Sequence, residues 1–164
     1  MFLSDGERDS LQFPMTTAKP KSRRTVLLVE ADVIVRFALA EHLRTCGHVV
    51  IETVSGAEAR AVLVAGPKPD VLLADALLAG DDNGFALAQW VRRHRQAIEV
   101  ILTGTLSHKV QAACALCADG DKAKAAKDEQ ALLTRIRAML AERKRRLRAP
   151  PKSAPLVAPK RKRS

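Results

Sequence analysis

Carboxylates and a hydroxyl group stand at the ends of short apolar runs in this sequence. Glu30 and Asp32 follow one run, Asp75 follows another, and Thr103 ends a third. Carboxylates at two such places suit a hard cation such as Mg²⁺, which prefers oxygen ligands. A carboxylate can also attack phosphorus to give an aspartyl phosphate, a reaction that needs positive charge near the phosphoryl oxygens. These residue types therefore indicate metal or phosphoryl chemistry.

Such chemistry requires secondary-structure elements that bring the residues together. Four apolar runs are typical of strands buried on both faces of a parallel sheet: 25–29, 49–54, 71–74 and 100–103. Patterns of helical period lie between them, and parallel strands need such crossovers. We predict an α/β fold, an open doubly wound parallel sheet of five strands with helices on both faces. Function in such a sheet lies at the carboxyl ends of the strands.

The predicted fifth strand falls on residues 119–127, because the alternation of strands and helices along the chain calls for a strand there. This segment, DGDKAKAAK, has few apolar or β-branched residues. Its lysines, Lys122, Lys124 and Lys127, would lie where the fifth strand ends. We expect one of them to supply the positive charge of the site.

Net charge and composition divide the chain into three parts. The formal net charge is +10, and most of it comes from residues 142–164, which are also rich in proline. We predict a disordered extension over 1–24, a globular domain over 25–141 and a basic disordered tail over 142–164. Lysine and arginine clusters release counterions from phosphates, so the tail is a candidate nucleic-acid binder.

Apolar runs and cysteines indicate the environment of the chain. No run approaches the roughly 20 apolar residues that span a bilayer, so we expect no membrane association. The three cysteines cannot all pair within one chain, which argues against a disulfide framework and favours the cytoplasm. We interpret Cys114 and Cys117, and likewise Cys46, as small packing residues of helices.

Several segments together resemble the receiver domain of two-component response regulators. The resemblance spans about residues 25–141, and four segments carry it: TVLLVEAD, PDVLLADALLAGDDNG, EVILTG and ALLTRIRAML. It implies that Asp75 is the phosphorylated aspartate. It also implies Mg²⁺ ligands and a group of residues around the phosphoryl group. The implied metal ligands are Glu30, Asp32, Asp75 and the backbone carbonyl of Leu77. The implied phosphoryl-binding and switch residues are Thr103, Gly104 and Lys124.

Two departures from the family pattern affect these expectations. The family has two adjacent acidic residues after the first strand, and Ala31 replaces one that binds the metal directly. We therefore expect weak Mg²⁺ binding. The family also has a Lys-Pro pair after the fifth strand, which this chain lacks. Lys124 is the best match by spacing, and Lys127 is the alternative.

The resemblance implies a stand-alone receiver that takes a phosphoryl group from a histidine kinase or phosphotransfer protein. The resulting charge change would alter docking to a downstream protein target. One alternative is a pseudo-receiver, an interaction module that no longer takes phosphate, with nucleic-acid binding by the basic tail as a possible addition. An aspartate-based phosphatase ranks last, because Leu77 stands where that class needs a second aspartate. We therefore expect a protein that is not an enzyme.

Overall fold

The computed structural model describes residues 23–148, in which four strands alternate with helices before two helices follow in succession. The strands are β1 (Thr25–Val29), β2 (Val49–Thr53), β3 (Val71–Asp75) and β4 (Glu99–Thr103). The helices are α1 (Val33–Thr45), α2 (Gly56–Ala65), α3 (Gly84–His94), α4 (Leu106–Ala118) and α5 (Lys122–Arg148). All strand pairs are parallel, in the order β2-β1-β3-β4.

Two apolar layers cover the two faces of the sheet, because alternate residues of a strand point to opposite sides. Val26 and Leu28 of β1 pack against the face covered by α1, α4 and α5. Leu27 and Val29 pack against the other face, which α2 and α3 cover. The expected α/β fold with a parallel sheet and helices on both faces is thus confirmed.

The predicted fifth strand is replaced by helix over most of its length. Asp119 and Gly120 adopt positive φ angles of 48° and 91°, which ends α4. The Asp121 carboxylate then accepts hydrogen bonds from the backbone N–H groups of Ala123 and Lys124, which caps the start of α5. Alanine and lysine favour helix over strand. The sheet consequently ends at β4 in the described part of the chain.

The last helix is longer than the sequence analysis expected. The domain boundary at residue 141 falls inside α5, which continues to Arg148. The predicted N-terminal extension up to residue 22 and the tail from residue 149 lie outside the described residues. No helix within 23–148 combines the length and the apolar character needed to cross a bilayer.

A disulfide bond joins Cys46, the residue that ends α1, to Cys117 near the end of α4. This corrects the interpretation of these two cysteines as packing residues. The two residues are 71 positions apart, so the sequence offered no local signal for the pairing. Cys114 remains a free thiol buried in the core, and burial raises its pKa to about 11.

Candidate functional site

The carboxyl ends of β1, β3 and β4 form the edge where the candidate residues meet. Asp75 at the end of β3 pairs in register with Thr103 at the end of β4. Val29 of β1 pairs with Ala74, so Glu30 follows immediately beside Asp75. Parallel pairing of three apolar strands therefore brings together residues that are far apart in sequence.

Asp75 is held by one contact at each carboxylate oxygen. Its Oδ1 accepts a hydrogen bond from the backbone N–H of Leu77 at 2.9 Å. Its Oδ2 accepts one from the Nζ of Lys109 at 2.7 Å. The side chain is 12% exposed. It is thus oriented by the protein but still open to a small reactant.

Glu30 is buried beside Asp75 and contacts the same lysine. Its Oε2 lies 2.6 Å from the Lys109 Nζ, and its Oε1 accepts a hydrogen bond from the backbone N–H of Asp32 at 2.9 Å. A buried carboxylate is costly unless it is paired. The ammonium group of Lys109 supplies that pairing for Glu30 and Asp75 together.

Lys109 is the site residue that the sequence analysis missed. Its side chain is 13% exposed, and it lies in the first turns of α4, after the N-cap residue Thr105. Burial acts to lower the pKa of Lys109. The hydrogen bonds that the ammonium donates to Asp75 and Glu30 outweigh burial and hold that pKa above the usual lysine value. The lysine is therefore charged at neutral pH.

One sequence signal pointed to this lysine. Gly104 and Thr105 follow β4 directly, and Thr105 is a good N-cap residue. A helix that begins there must start at the carboxyl edge of the sheet, and Lys109 lies within its first two turns. The expected fifth strand instead directed attention to the lysines of residues 122–127.

Lys124, the lysine expected at the site, lies elsewhere. It is near the start of α5 and close to His42, whose pKa is lowered first by burial and in smaller part by the Lys124 charge. His42 is in the last turn of α1, and α1 begins at the carboxyl edge of the sheet and runs away from it. Within the described residues, Lys109 is the lysine that contacts Asp75.

Asp32, expected as a metal ligand, caps α1. Its Oδ1 accepts hydrogen bonds from the backbone N–H groups of Ile34 and Val35, and its Oδ2 pairs with Arg143 at 2.8 Å. Burial acts to raise the pKa of Asp32, but these donors, with Arg143 first among them, hold it below the usual value. The carboxylate therefore compensates poorly for the ligand missing at Ala31.

Thr103 and Gly104 complete the edge near Asp75. Thr103 is buried, and its hydroxyl donates a hydrogen bond to the carbonyl of Ala74 at 3.3 Å. Gly104 has open space where a side chain would stand, with no atom within 4 Å of an added Cβ. A reactant can approach Asp75 from this side without meeting a side chain at position 104.

The start of α3 is pressed against the strand that carries Asp75. Asn83 caps this helix through a hydrogen bond that its Oδ1 accepts from the backbone N–H of Ala86. A Cβ at Gly84 would lie 2.1 Å from the carbonyl oxygen of Asp75. Only glycine permits this approach, so Gly84 fixes the backbone that presents the carboxylate.

A family model of the response regulator receiver domain matches residues 26–137. This chain belongs to the response regulator receiver domain family. Receiver domains accept phosphoryl groups in two-component signalling and are signalling modules, generally not enzymes. A comparison with curated proteins finds no match.

Solved structures that are similar to this chain include receiver domains. The BeF₃-activated receiver domain of nitrogen regulatory protein C is 26% identical to this receiver and covers 72% of this chain and 97% of its own, with a TM-score of 0.46. A response regulator receiver protein from Pseudomonas putida is 24% identical, with coverages of 51% and 71% and a TM-score of 0.44. The family match, rather than these likenesses, carries the assignment.

Receiver domains typically bind Mg²⁺ at the phosphorylation site. In this receiver all four carboxylate oxygens of Glu30 and Asp75 accept hydrogen bonds, two of them from Lys109. Ala31 offers no oxygen ligand on its side chain, and Asp32 is engaged by α1 and Arg143. Glu30 and Asp75 are the carboxylates that would hold Mg²⁺ in this receiver, and the ion would compete with Lys109 for their oxygens.

Proposed function

We propose that this receiver accepts a phosphoryl group on Asp75 from a histidine kinase or phosphotransfer protein. The observation that carries the proposal is the Lys109 ammonium bridging Asp75 and Glu30 beside Thr103. Phosphoryl transfer depends mainly on positioning and on charge stabilisation, and this cluster offers both. The new charge on Asp75 would alter docking to a downstream protein.

In the proposed transfer, an oxygen of the Asp75 carboxylate attacks the phosphorus of a phosphohistidine. The new O–P bond forms as the P–N bond breaks, and the leaving imidazole takes up a proton from solvent. The Leu77 N–H and Lys109 orient the carboxylate before the attack. Orientation of this kind removes much of the entropic part of a barrier.

Lys109 and Thr103 are suited to the charge that develops on the phosphoryl oxygens. The Lys109 ammonium lies 2.7 Å from Asp75 Oδ2, and we propose that it stays with the phosphoryl group after transfer. The Thr103 hydroxyl, which donates to Ala74 at rest, can rotate toward a phosphoryl oxygen instead. Such an exchange of partners gives the edge two states, with and without phosphate.

The test is incubation with a small phosphodonor and Mg²⁺, followed by intact mass measurement. We expect a labile gain of one phosphoryl group in the wild type and none in Asp75→Asn. Asp81→Asn removes an exposed carboxylate from the nearby loop and should leave labelling unchanged. Labelling that survives in the Asp75 variant would refute the assignment.

A pseudo-receiver is the second candidate, and the same lysine favours it. Lys109 pairs with both carboxylates, which leaves one net negative charge among the three groups, and Ala31 removes a metal ligand. Such a domain would act by binding a partner protein in one fixed state. A wild-type chain that gains no phosphoryl group, while remaining folded, would support this candidate over the first.

A further inference from the structure

A second cluster of reactive side chains lies at the opposite edge of the sheet from Asp75. His42, Cys46 and Cys117 offer an imidazole nitrogen and two sulfur atoms, all within 4.8 Å of one another. The Cys46 sulfur is 4.0 Å from His42 Nε2, and the Cys117 sulfur is 3.9 Å from the His42 carbonyl oxygen. The receiver chemistry at Asp75 uses none of these groups.

Two helices bring the three side chains together. His42 and Cys46 are four residues apart at the end of α1, which places them on one helix face. Cys117 lies near the end of α4, which packs against α1. The cluster thus combines a short-range pair with one residue that only the tertiary fold supplies.

We propose that, when Cys46 and Cys117 are reduced, these two thiolates and the His42 imidazole bind a thiophilic divalent cation of the Zn²⁺ class. Disulfide formation between Cys46 and Cys117 abolishes the site. In the oxidised state both sulfurs are consumed by the S–S bond. The bond therefore makes metal binding dependent on the redox state of the chain.

A small-molecule disulfide can serve as the oxidant that converts the reduced, metal-binding state into the disulfide-bonded state. The Cys46 and Cys117 thiols lose two protons and two electrons and form one S–S bond. The small-molecule disulfide gains both and becomes two thiols. A bound cation must leave first, because its thiolate ligands are the atoms that react.

Ligand distances are compatible with this site. Tetrahedral zinc with Zn–S near 2.3 Å and Zn–N near 2.0–2.1 Å needs ligand atoms about 3.5–3.8 Å apart. The present atoms are within 4.8 Å of one another, so opening the S–S bond requires small side-chain rotations alone.

The three side chains leave a fourth coordination position to be filled from outside the cluster. A groove of about 270 Å³ opens beside His42, and Asp128 and Arg135 are among its lining residues. Three protein ligands with water in the fourth position is a known arrangement for zinc. We place that water on the His42 side of the cluster, because the groove is lined by His42 and by neither cysteine.

The test is titration of the reduced full chain with Co²⁺, which gives a thiolate charge-transfer absorption band, and then with Zn²⁺, which removes the band by competition. We expect one Co²⁺ per reduced chain and no band after oxidation by a small-molecule disulfide. Cys117→Ala should weaken Co²⁺ binding by more than about 100-fold. Loss of a residue that only hydrogen-bonds to a metal ligand costs 10–100-fold in affinity, and this variant loses a ligand itself. His42→Ala should weaken binding similarly.

Cys114→Ala is the matched control, because Cys114 lies one turn before Cys117 on the same helix and outside the cluster. It should keep the band and the affinity. Equal losses in the two cysteine variants, or a band in the oxidised protein, would overturn the proposal. A circular dichroism spectrum of each metal-free variant distinguishes loss of the site from loss of the fold. A reduced wild type that is folded but shows no band would also overturn the proposal.

Discussion

Lys109 is the residue on which the proposed phosphoryl transfer depends most. Replacing it by methionine removes the ammonium group that contacts Asp75 and Glu30 while keeping much of the side-chain volume. We expect Lys109→Met to slow phosphoryl transfer to Asp75 by about 10²–10³-fold, the usual effect of removing one charge-stabilising donor. Lys124→Met should leave the rate unchanged. Single-turnover labelling of both variants measures this, and the opposite ranking would restore Lys124 as the site lysine.

Residues at the strand ends were predictable because four apolar runs fix where strands end. Glu30, Asp75 and Thr103 were expected at one edge, and the structure brings them there. The lysine was not predictable from strand order, since it comes from α4, whereas the expected fifth strand favoured the lysines of residues 122–127. Asp32 was equally suited to capping α1 and to binding metal, and it caps the helix.

Ala31 leads to a prediction for metal affinity. Ala31→Asp adds the missing carboxylate next to Glu30, and we expect Mg²⁺ binding to tighten by about tenfold or more. Ala79→Asp adds the same charge in the exposed loop before α3 and serves as the control. Calorimetric titration measures both. Unchanged affinity in the Ala31 variant would mean that Lys109 still blocks the metal or that another ligand already fills the position.

Leu77 leads to a prediction for the lifetime of the phosphorylated form. Its side chain is 74% exposed next to the carboxylate and cannot hydrogen-bond an attacking water. We expect slow hydrolysis in the wild type. Leu77→Asn should speed hydrolysis by about five- to tenfold, which corresponds to the free energy of roughly one hydrogen bond. Decay of the phosphorylated mass over time tests this, and equal rates would show that Leu77 does not control the water.

Among the secondary-structure elements, the contact between α3 and β3 is the tightest constraint on the site. Gly84→Ala would place a Cβ 2.1 Å from the Asp75 carbonyl oxygen, so helix or strand must move. We expect a loss of about 1–3 kcal/mol in the free energy of unfolding, typical of overpacking. Gly104→Ala is the control, because its Cβ meets no atom within 4 Å. Denaturant unfolding compares them, and equal stabilities would argue against the close approach.

Strands were easier to predict than the last helices. Four apolar runs gave β1 to β4 nearly to the residue, because strands of a parallel sheet covered by helices on both faces leave a continuous apolar signal. Residues 119–127 were assigned to a strand by their place in the order of elements, although their alanines and lysines favour helix. The Asp121 carboxylate, which caps α5, was the local signal for a helix start. The place of these residues in the alternation of strands and helices was a weaker basis for predicting their structure.

For the whole molecule, the Cys46–Cys117 bond is a major restraint on the unfolded chain. Reduction, with a chelator present to keep metal from binding, should lower the free energy of unfolding by about 2–4 kcal/mol. Cys114→Ala should respond to reduction like the wild type, whereas Cys46→Ala combined with Cys117→Ala should not respond at all. Thermal unfolding with and without reductant measures the difference, and a wild type indifferent to reductant would contradict it.

The same bond also divides the chain into a covalent ring, residues 46–117, and the segments on either side of it. The ring holds β2, β3 and β4, but β1 belongs to the segment before it. Since β1 lies between β2 and β3, the oxidised chain completes its sheet only when a strand from outside the ring inserts between two strands within it. That strand carries some of the most deeply buried side chains of the molecule, Val26 to Val29. Closing the ring therefore cannot by itself assemble the sheet, because β2 is connected to β3 and β4 only through β1.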